Sequence, residues 1–292
     1  MQLTTAYLAV LLIWATTPLT VKWGGEGVGF LFGVLLRMLI GSACVAGLMI
    51  ILRKSLPYHT AAIKTYIAGV TGVFGAMMSV YWSAQFIPSG WISVIFGLTP
   101  LATAFLSSLW LNERFITPFR LAALLLSVFG LSKLYDSVPT DEVNYLYGII
   151  GMLVSVFLHS FSSVWIKKVD AKLPALSVTA GSLFMSMPLF FASWYFMDGQ
   201  WPEQIPDRSL YAIIYTGVIA TAAGFTVYFY VLKNISATRV ALITLISPMF
   251  ALWLGHTFND EPITQSTLFG SILILSGLAL FEFDTLKKRI RI

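Results

Sequence analysis

Apolar residues run in long blocks along this chain, separated by short polar clusters. A helix that crosses a bilayer needs about 20 mostly apolar residues. Ten blocks approach that length, at residues 6–21, 28–52, 63–86, 91–111, 117–134, 145–166, 176–196, 210–232, 237–258 and 263–281. The longest stretches between them, 135–144 and 197–209, carry Pro, Asp and Glu and read as solvated loops. Neither is long enough for a soluble domain. No Lys or Arg precedes the first block and no small-x-small cleavage site follows it, so it reads as a spanning helix and not as a signal peptide. The pattern predicts an all-α integral membrane protein with ten transmembrane helices.

Composition supports this and adds an orientation. The chain is 58% hydrophobic and 11% charged, against about 25% charged residues in a soluble domain. The net charge of +5 comes from Lys and Arg at helix ends, where they act as orientation signals, so it does not indicate a nucleic-acid partner. With a cytoplasmic N-terminus, fourteen of the eighteen Lys and Arg fall on the cytoplasmic side, among them Arg53, Lys54, Lys167, Lys168 and Lys287. Glu26, Asp136, Asp141, Glu142, Asp198, Glu203 and Asp207 fall on the other side. The expectation is a multi-pass protein of the cell inner (plasma) membrane with both termini cytoplasmic. Cys44 is the one cysteine and cannot form an internal disulfide. It lies in an apolar run and reads as helix packing.

The chain also repeats itself. A shift of 148 positions carries Pro100 onto Pro248 and Glu113 onto Glu261, and brings Gly130 to one residue from Gly277. The boundary falls near Pro139, giving repeats at 1–138 and 139–292. Five helices per repeat is an odd number, so the second repeat enters the membrane inverted. Inverted repeats are the architecture of alternating-access carriers.

Proline, a dozen residues, glutamate and then a glycine-bearing helix, occurring twice in a ten-helix chain, resembles the EamA-type domain of the drug/metabolite transporter superfamily. Trp14 followed by Lys22 is similar to that family's first-helix pattern of tryptophan and then a basic residue. The sixth helix has the same eight-residue step from His159 to Lys167, with histidine in place of an aromatic residue. The resemblance implies a secondary transporter of a small organic metabolite, often an exporter. It also implies a cavity lined mainly by helices one, three, four, six, eight and nine, with the fifth and tenth peripheral.

Several residues are candidates for contact with substrate. Trp14 and Thr17 lie near the middle of the first helix, and a buried Trp stacks well on apolar or aromatic groups but packs equally well. Lys22 and Arg37 are charges in or beside membrane segments, where ionisable groups are costly and tend to be functional. Either suits a carboxylate or phosphate. The structural alternatives are an interfacial anchor for Lys22 and a pair with Glu26 or a freed carbonyl for Arg37. Tyr81 and Trp82, with Gln85 nearby, lie at the end of the third helix. His159 is the histidine near the centre of a membrane segment, and its ordinary range of pH 5 to 8 leaves proton coupling open beside uncoupled transport. Tyr228 and Thr244 complete the set.

Pro100 and Pro248 each remove a mid-membrane backbone donor and read as a matched pair of conformational bends. Glu113 and Glu261 read as structural acids at helix ends, accepting from the free N–H groups of the next helix. No Asp or Glu lies in the middle of a predicted helix, which disfavours a permanent-cation antiporter and favours a neutral, zwitterionic or anionic solute. No metal, cofactor or catalytic constellation is present: the phosphate-loop, GxGxxG and HExxH patterns are absent. The reading is therefore a carrier and not an enzyme. Its partners are a small-molecule substrate and the lipid bilayer, and it is a monomer or homodimer. An amino acid leads nucleosides and nucleotide sugars as substrate. The competing class is a non-transporting integral subunit or accessory protein.

Overall fold

The long apolar blocks can satisfy their backbone in lipid by closing it into helices, and the structure, a computed structural model, consists of helices and connecting turns. It describes residues 3–111, 117–136, 144–224, 227 and 237–290, with the side chains of 237–245 and 285–290 excepted. The helices are α1 (Leu3–Trp23), α2 (Phe30–Ile51), α3 (Thr60–Ser83), α4 (Ser89–Trp110), α5 (Pro118–Tyr135), α6 (Asn144–Val169) and α7 (Ala175–Met197). They continue with α8 (Asp207–Tyr215, then Thr216–Ala223), α9 (Ala237–Asn259) and α10 (Gln265–Ile290). Among the described residues, eight helices are long and apolar enough to cross a membrane: α1 to α7, and α10 over Gln265–Asp284. Large apolar side chains such as Leu12, Leu39, Phe105, Leu125, Phe157 and Phe191 point outward, as a lipid-facing surface requires.

Most helix ends lie within three residues of the expected positions. The exception is α10, which continues to Ile290 and so carries Asp284 inside a helix. Asp284 is buried, pairs with Arg120 Nε at 3.1 Å and accepts from Thr117 Oγ1 at 3.1 Å. It ties the end of α10 to the start of α5. These two helices pack chiefly on each other through small residues. A Cβ on Gly130 would come within 2.7 Å of the Gly270 carbonyl, and one on Gly277 within 2.7 Å of the Ala123 carbonyl. Small residues let membrane helices approach this closely. Leu134, Ile274, Leu278 and Phe281 of this pair join the main core, which the other helices build with α1 against α4 and α9, α2 against α7 and α8, and α6 against α3 and α4.

Two helices widen at matched places. Thr71–Ala76 in α3 and Thr216–Ala223 in α8 are π-helical. The two stretches begin 216 − 71 = 145 residues apart, and both open on Thr-Gly-Val. A π turn displaces backbone carbonyls from their usual partners, and side chains occupy some of them. Ser155 on α6 donates to the Ala76 carbonyl at 2.9 Å, and Thr221 donates to the Thr216 carbonyl at 2.9 Å.

The two prolines differ in effect. Pro100 cannot donate to the Phe96 carbonyl, and α4 breaks there into Ser89–Phe96 and Thr99–Trp110. The Thr99 hydroxyl takes over that carbonyl at 2.6 Å. Helix α9 passes through Pro248 without interruption. The matched pair of bends expected from the sequence is, in this structure, one break and one continuous helix.

Candidate functional site

One end of the bundle gathers the polar residues. Helix α1 stops at Trp23, α4 starts after Pro88, α8 starts after Pro206 and α9 stops at Asn259. Asp260 then adopts a positive φ of 51°, which turns the chain, and the Glu261 N–H donates back to the Gly255 carbonyl at 3.2 Å. Glu261 is 7% exposed. Its carboxylate accepts from Ser89 N–H at 2.9 Å, the Ser89 hydroxyl at 2.9 Å, Gly90 N–H at 3.4 Å and Asn259 Nδ2 at 3.0 Å. It therefore caps α4, whose first N–H groups have no partner in their own helix. The expected structural role at a helix end is present, but the capped helix is α4 and not the following α10. Glu113 lies outside the described residues.

Lys22 joins the same cluster. Its ammonium donates to the Ile87 carbonyl at 2.8 Å and stands 4.0 Å from Glu261. Beside it, Trp23 Nε1 and Arg208 both donate to Asn259 Oδ1, at 2.8 and 2.7 Å. The Arg208 guanidinium lies 4.1 Å from the Trp23 ring centroid and 3.8 Å from Glu26. Glu26 is thus engaged by Arg208, and the pairing of Arg37 with Glu26 weighed from the sequence is not formed. Together these contacts tie α1, α4, α8 and α9 into one closed end.

Two cavities open here. The larger, about 440 Å³, is lined by Lys22, Gln85, Asn144, Tyr145, Asn259 and Glu261, among others. The smaller, about 140 Å³, is lined by Lys22, Glu26, Phe30, Tyr81, Ala84 and Gln85. Tyr81 is 1% exposed and adjoins Arg37, which is 4% exposed, with the guanidinium carbon 5.7 Å from the Tyr81 ring centroid. Arg37 Nε donates to Thr221 Oγ1 at 3.3 Å, where α2 and α8 meet closely through Gly41 and Gly217. Arg37 Nη1 and the Tyr81 hydroxyl are buried with no hydrogen-bond partner among the described residues.

The remaining candidates scatter around this axis. Trp14 is half-buried and packs with Tyr7, Val227 and Ile246 onto Ala6, Val10 and Leu11. Thr17 spends its hydroxyl on the Ile13 carbonyl of its own helix at 2.6 Å. Trp82 abuts Gly151 of α6 and meets Phe86 edge-on. His159 sits against Phe96, with centroids 5.2 Å apart, beside the break in α4. Tyr228 and the Thr244 side chain lie outside the described residues. Arg208, Ser89 and Asn259 were not singled out from sequence. Each partners a residue far away along the chain, which leaves no local signal. Among the described residues, no three His, Cys, Asp or Glu gather as a metal site.

Comparison with known proteins agrees in kind. The sequence profile of the EamA-like transporter family matches residues 4–135 and again 146–283. The chain is 23% identical over 285 residues to the uncharacterized transporter YoaV of Bacillus subtilis, covering 97% of each. It is 22% identical to a probable amino-acid metabolite efflux pump of Escherichia coli, over 74% of this chain and 75% of that one. It is 24% identical to protein PecM of Dickeya dadantii, over 85% and 82%. One crystal structure superposes with a TM-score of 0.68 at 19% identity, covering 99% of this chain and 98% of that chain, which shows a shared fold.

Proposed function

Because the chain belongs to the EamA-like transporter family, we propose that it is a secondary carrier that exports a small organic metabolite by alternating access. It works as two inverted repeats of five transmembrane helices, at 1–138 and 139–292, with both termini in the cytoplasm. The solute is an amino acid or a similar zwitterionic, anionic or neutral compound. The relative named as a probable amino-acid metabolite efflux pump supports both direction and class.

The observation that carries the reading is the matched pair of π turns in α3 and α8. Wide turns of this kind recur at functional sites, and here each half supplies one. Each lies where a helix of one half meets two helices of the other: α3 against α6 and α7, and α8 against α1 and α2. The end closed by Lys22, Glu261, Asn259 and Arg208 draws on both halves, as one gate of such a carrier does. In this reading Trp14, Tyr81 and His159 face the solute path, Lys22 guards its mouth and the α4 break at Pro100 provides the hinge.

Counterflow in proteoliposomes tests this. Vesicles loaded with a mixed pool of amino acids, nucleosides and sugar phosphates are offered each class outside, and mass spectrometry identifies what leaves. Saturable exchange of amino acids, lost in Trp14→Ala or Tyr81→Ala, is the expected result. Folded protein that exchanges nothing, with or without a proton gradient, would turn the assignment to a non-transporting membrane subunit. Topology is checked by impermeant labelling of Gly199→Cys and Lys54→Cys in a Cys44→Ser background. The first is expected to react from outside intact cells and the second only after lysis.

A further inference from the structure

We propose that Arg37 and the Tyr81 hydroxyl form the receptor for a carboxylate carried by the transported solute, an inference that rests on the carrier reading above. Arg37 begins the third turn of α2, about 10 Å along the helix from Phe30. It is 4% exposed, so its charge does not reach solvent by extending the side chain. Among the described residues no carboxylate lies within 4.0 Å of it. The two acids nearest that end are engaged elsewhere, Glu26 by Arg208 and Glu261 by Ser89, Gly90, Asn259 and Lys22. Thr221 accepts from Nε alone. What remains is a buried positive charge with a free Nη1 donor, set over the ring of Tyr81, whose hydroxyl is likewise buried without a partner among the described residues. Two unpaired donors and a buried cation on neighbouring side chains match an oxyanion, and a guanidinium binds a planar carboxylate in a fixed fork geometry.

The two halves differ at this position. The offset of 145 that superposes the two Thr-Gly-Val turns carries Arg37 onto Ser182 of α7. The same helical position in the second half is therefore built with a small hydroxyl. The nearest opening is the cavity of about 140 Å³ that starts at Lys22 and is lined by Tyr81; Arg37 does not line it and lies against the Tyr81 ring. With Glu26 held toward Arg208, a carboxylate entering this way meets one cation at the mouth and a second behind Tyr81.

The test measures binding to the purified full-length protein by calorimetry and thermal melting. The probes are acetate, L-alanine, L-alaninamide and inorganic phosphate, and the proteins are wild type, Arg37→Met, Arg37→Lys and Tyr81→Phe. Acetate and L-alanine are expected to bind and stabilise the wild type, and L-alaninamide, which lacks the carboxylate, is not. Arg37→Met should weaken carboxylate binding about 10- to 100-fold, with partial retention in Arg37→Lys and a smaller loss in Tyr81→Phe. The ligand-free melting midpoint of Arg37→Met should equal or exceed that of wild type, because the variant removes a charge compensated only in part. A fall in that midpoint with carboxylate binding intact would overturn the proposal. So would equal binding of L-alanine and L-alaninamide, a response to phosphate alone, or no response to either carboxylate. Carboxylate binding without counterflow would instead count against the carrier reading, and counterflow indifferent to Arg37 against this site alone.

Discussion

Glu261 holds together parts of the chain that lie 172 residues apart. One carboxylate oxygen receives Ser89 N–H and Asn259 Nδ2–H, and the other receives the Ser89 hydroxyl and Gly90 N–H. Both oxygens face donors, so an amide nitrogen in either place meets a donor head-on. Glu261→Gln is therefore expected to lower stability by about 2 kcal/mol, the range for buried hydrogen bonds to a charged group. Ser89→Ala, which removes one of the four bonds, should cost about 1 kcal/mol. Lys22→Met should cost less than Glu261→Gln, because the ion pair is long at 4.0 Å and Lys22 remains partly exposed. Chemical denaturation in detergent orders the three, and a Glu261→Gln variant within a few tenths of a kcal/mol of wild type would refute the capping role. Arg37 is the opposite kind of residue. An arginine at a helix centre costs about 2.5–3.5 kcal/mol on insertion scales, and a single bond to Thr221 at 3.3 Å offsets a fraction of that. Glu261 is retained by what it stabilises in the fold, whereas Arg37 is compensated among the described residues only in part, by Thr221 and the Tyr81 ring.

At the scale of helices, α5 and α10 pack most extensively on each other. Their contact is backbone against backbone: a Cβ on Gly270 would lie 2.7 Å from the Gly130 carbonyl and 2.8 Å from the Leu134 amide nitrogen. Backbone cannot rotate away as a long side chain can, so Gly270→Val must push the helices apart. The expected cost is about 1–3 kcal/mol in a thermal or denaturant melt, with carboxylate binding at wild-type strength because the pair stands away from Arg37 and Tyr81. A loss of binding equal to the loss of stability would mean that the pair is coupled to the site. The helices themselves were legible in the sequence, since the length of an apolar run sets where a spanning helix fits, and most ends fall within three residues. What was not legible has physical reasons. A π turn changes the winding of a helix without changing how apolar it is, so hydropathy passes over Thr71–Ala76 and Thr216–Ala223. The repeated Thr-Gly-Val was the available signal, and it lies at an offset of 145 where the proline and glutamate repeat uses 148. The partner of Glu261 was hidden because a cap can come from any helix end that packs nearby, and sequence order favours the next one. The α4 break at Pro100 and the continuous α9 at Pro248 show the same limit: identical residues at matched positions take their geometry from different neighbours. Of the candidate site, the charges Lys22 and Arg37 and the phenol Tyr81 were visible as costly or polar groups in apolar runs. Their convergence depended on how α1, α2, α3 and α8 pack.

For the whole molecule, the closed end sets what transport requires. Asn259 accepts from Trp23 of α1 and from Arg208 of α8, and donates to Glu261, which caps α4. A solute can pass this end when α1, α4, α8 and α9 separate, and Asn259 of α9 bonds to α1, to α8 and to the acid that caps α4. Hydrogen bonds that exist in one state of a two-state carrier bias its equilibrium by their net worth, about 0.5–1.5 kcal/mol between neutral groups and about 1.5–3 kcal/mol where one is charged. Losing the three bonds of Asn259, one neutral and two to charged groups, thus favours the open state by about 3 kcal/mol or more, or on the order of 100-fold and upward in population. Ala84 reports the change, because it lines the smaller cavity and is buried at 4% exposure. In a Cys44→Ser background, Ala84→Cys should react slowly with an impermeant thiol reagent added from the Lys22 side. Adding Asn259→Ala should raise the rate by at least tenfold, and Arg208→Ala, which breaks one of the three bonds, should raise it less. Removing a purely static contact would lower the melting midpoint and leave the labelling rate unchanged. A rate that rises in this order without a matching loss of stability identifies the Lys22, Glu261, Asn259 and Arg208 cluster as a gate whose opening exposes the passage toward Tyr81 and Arg37.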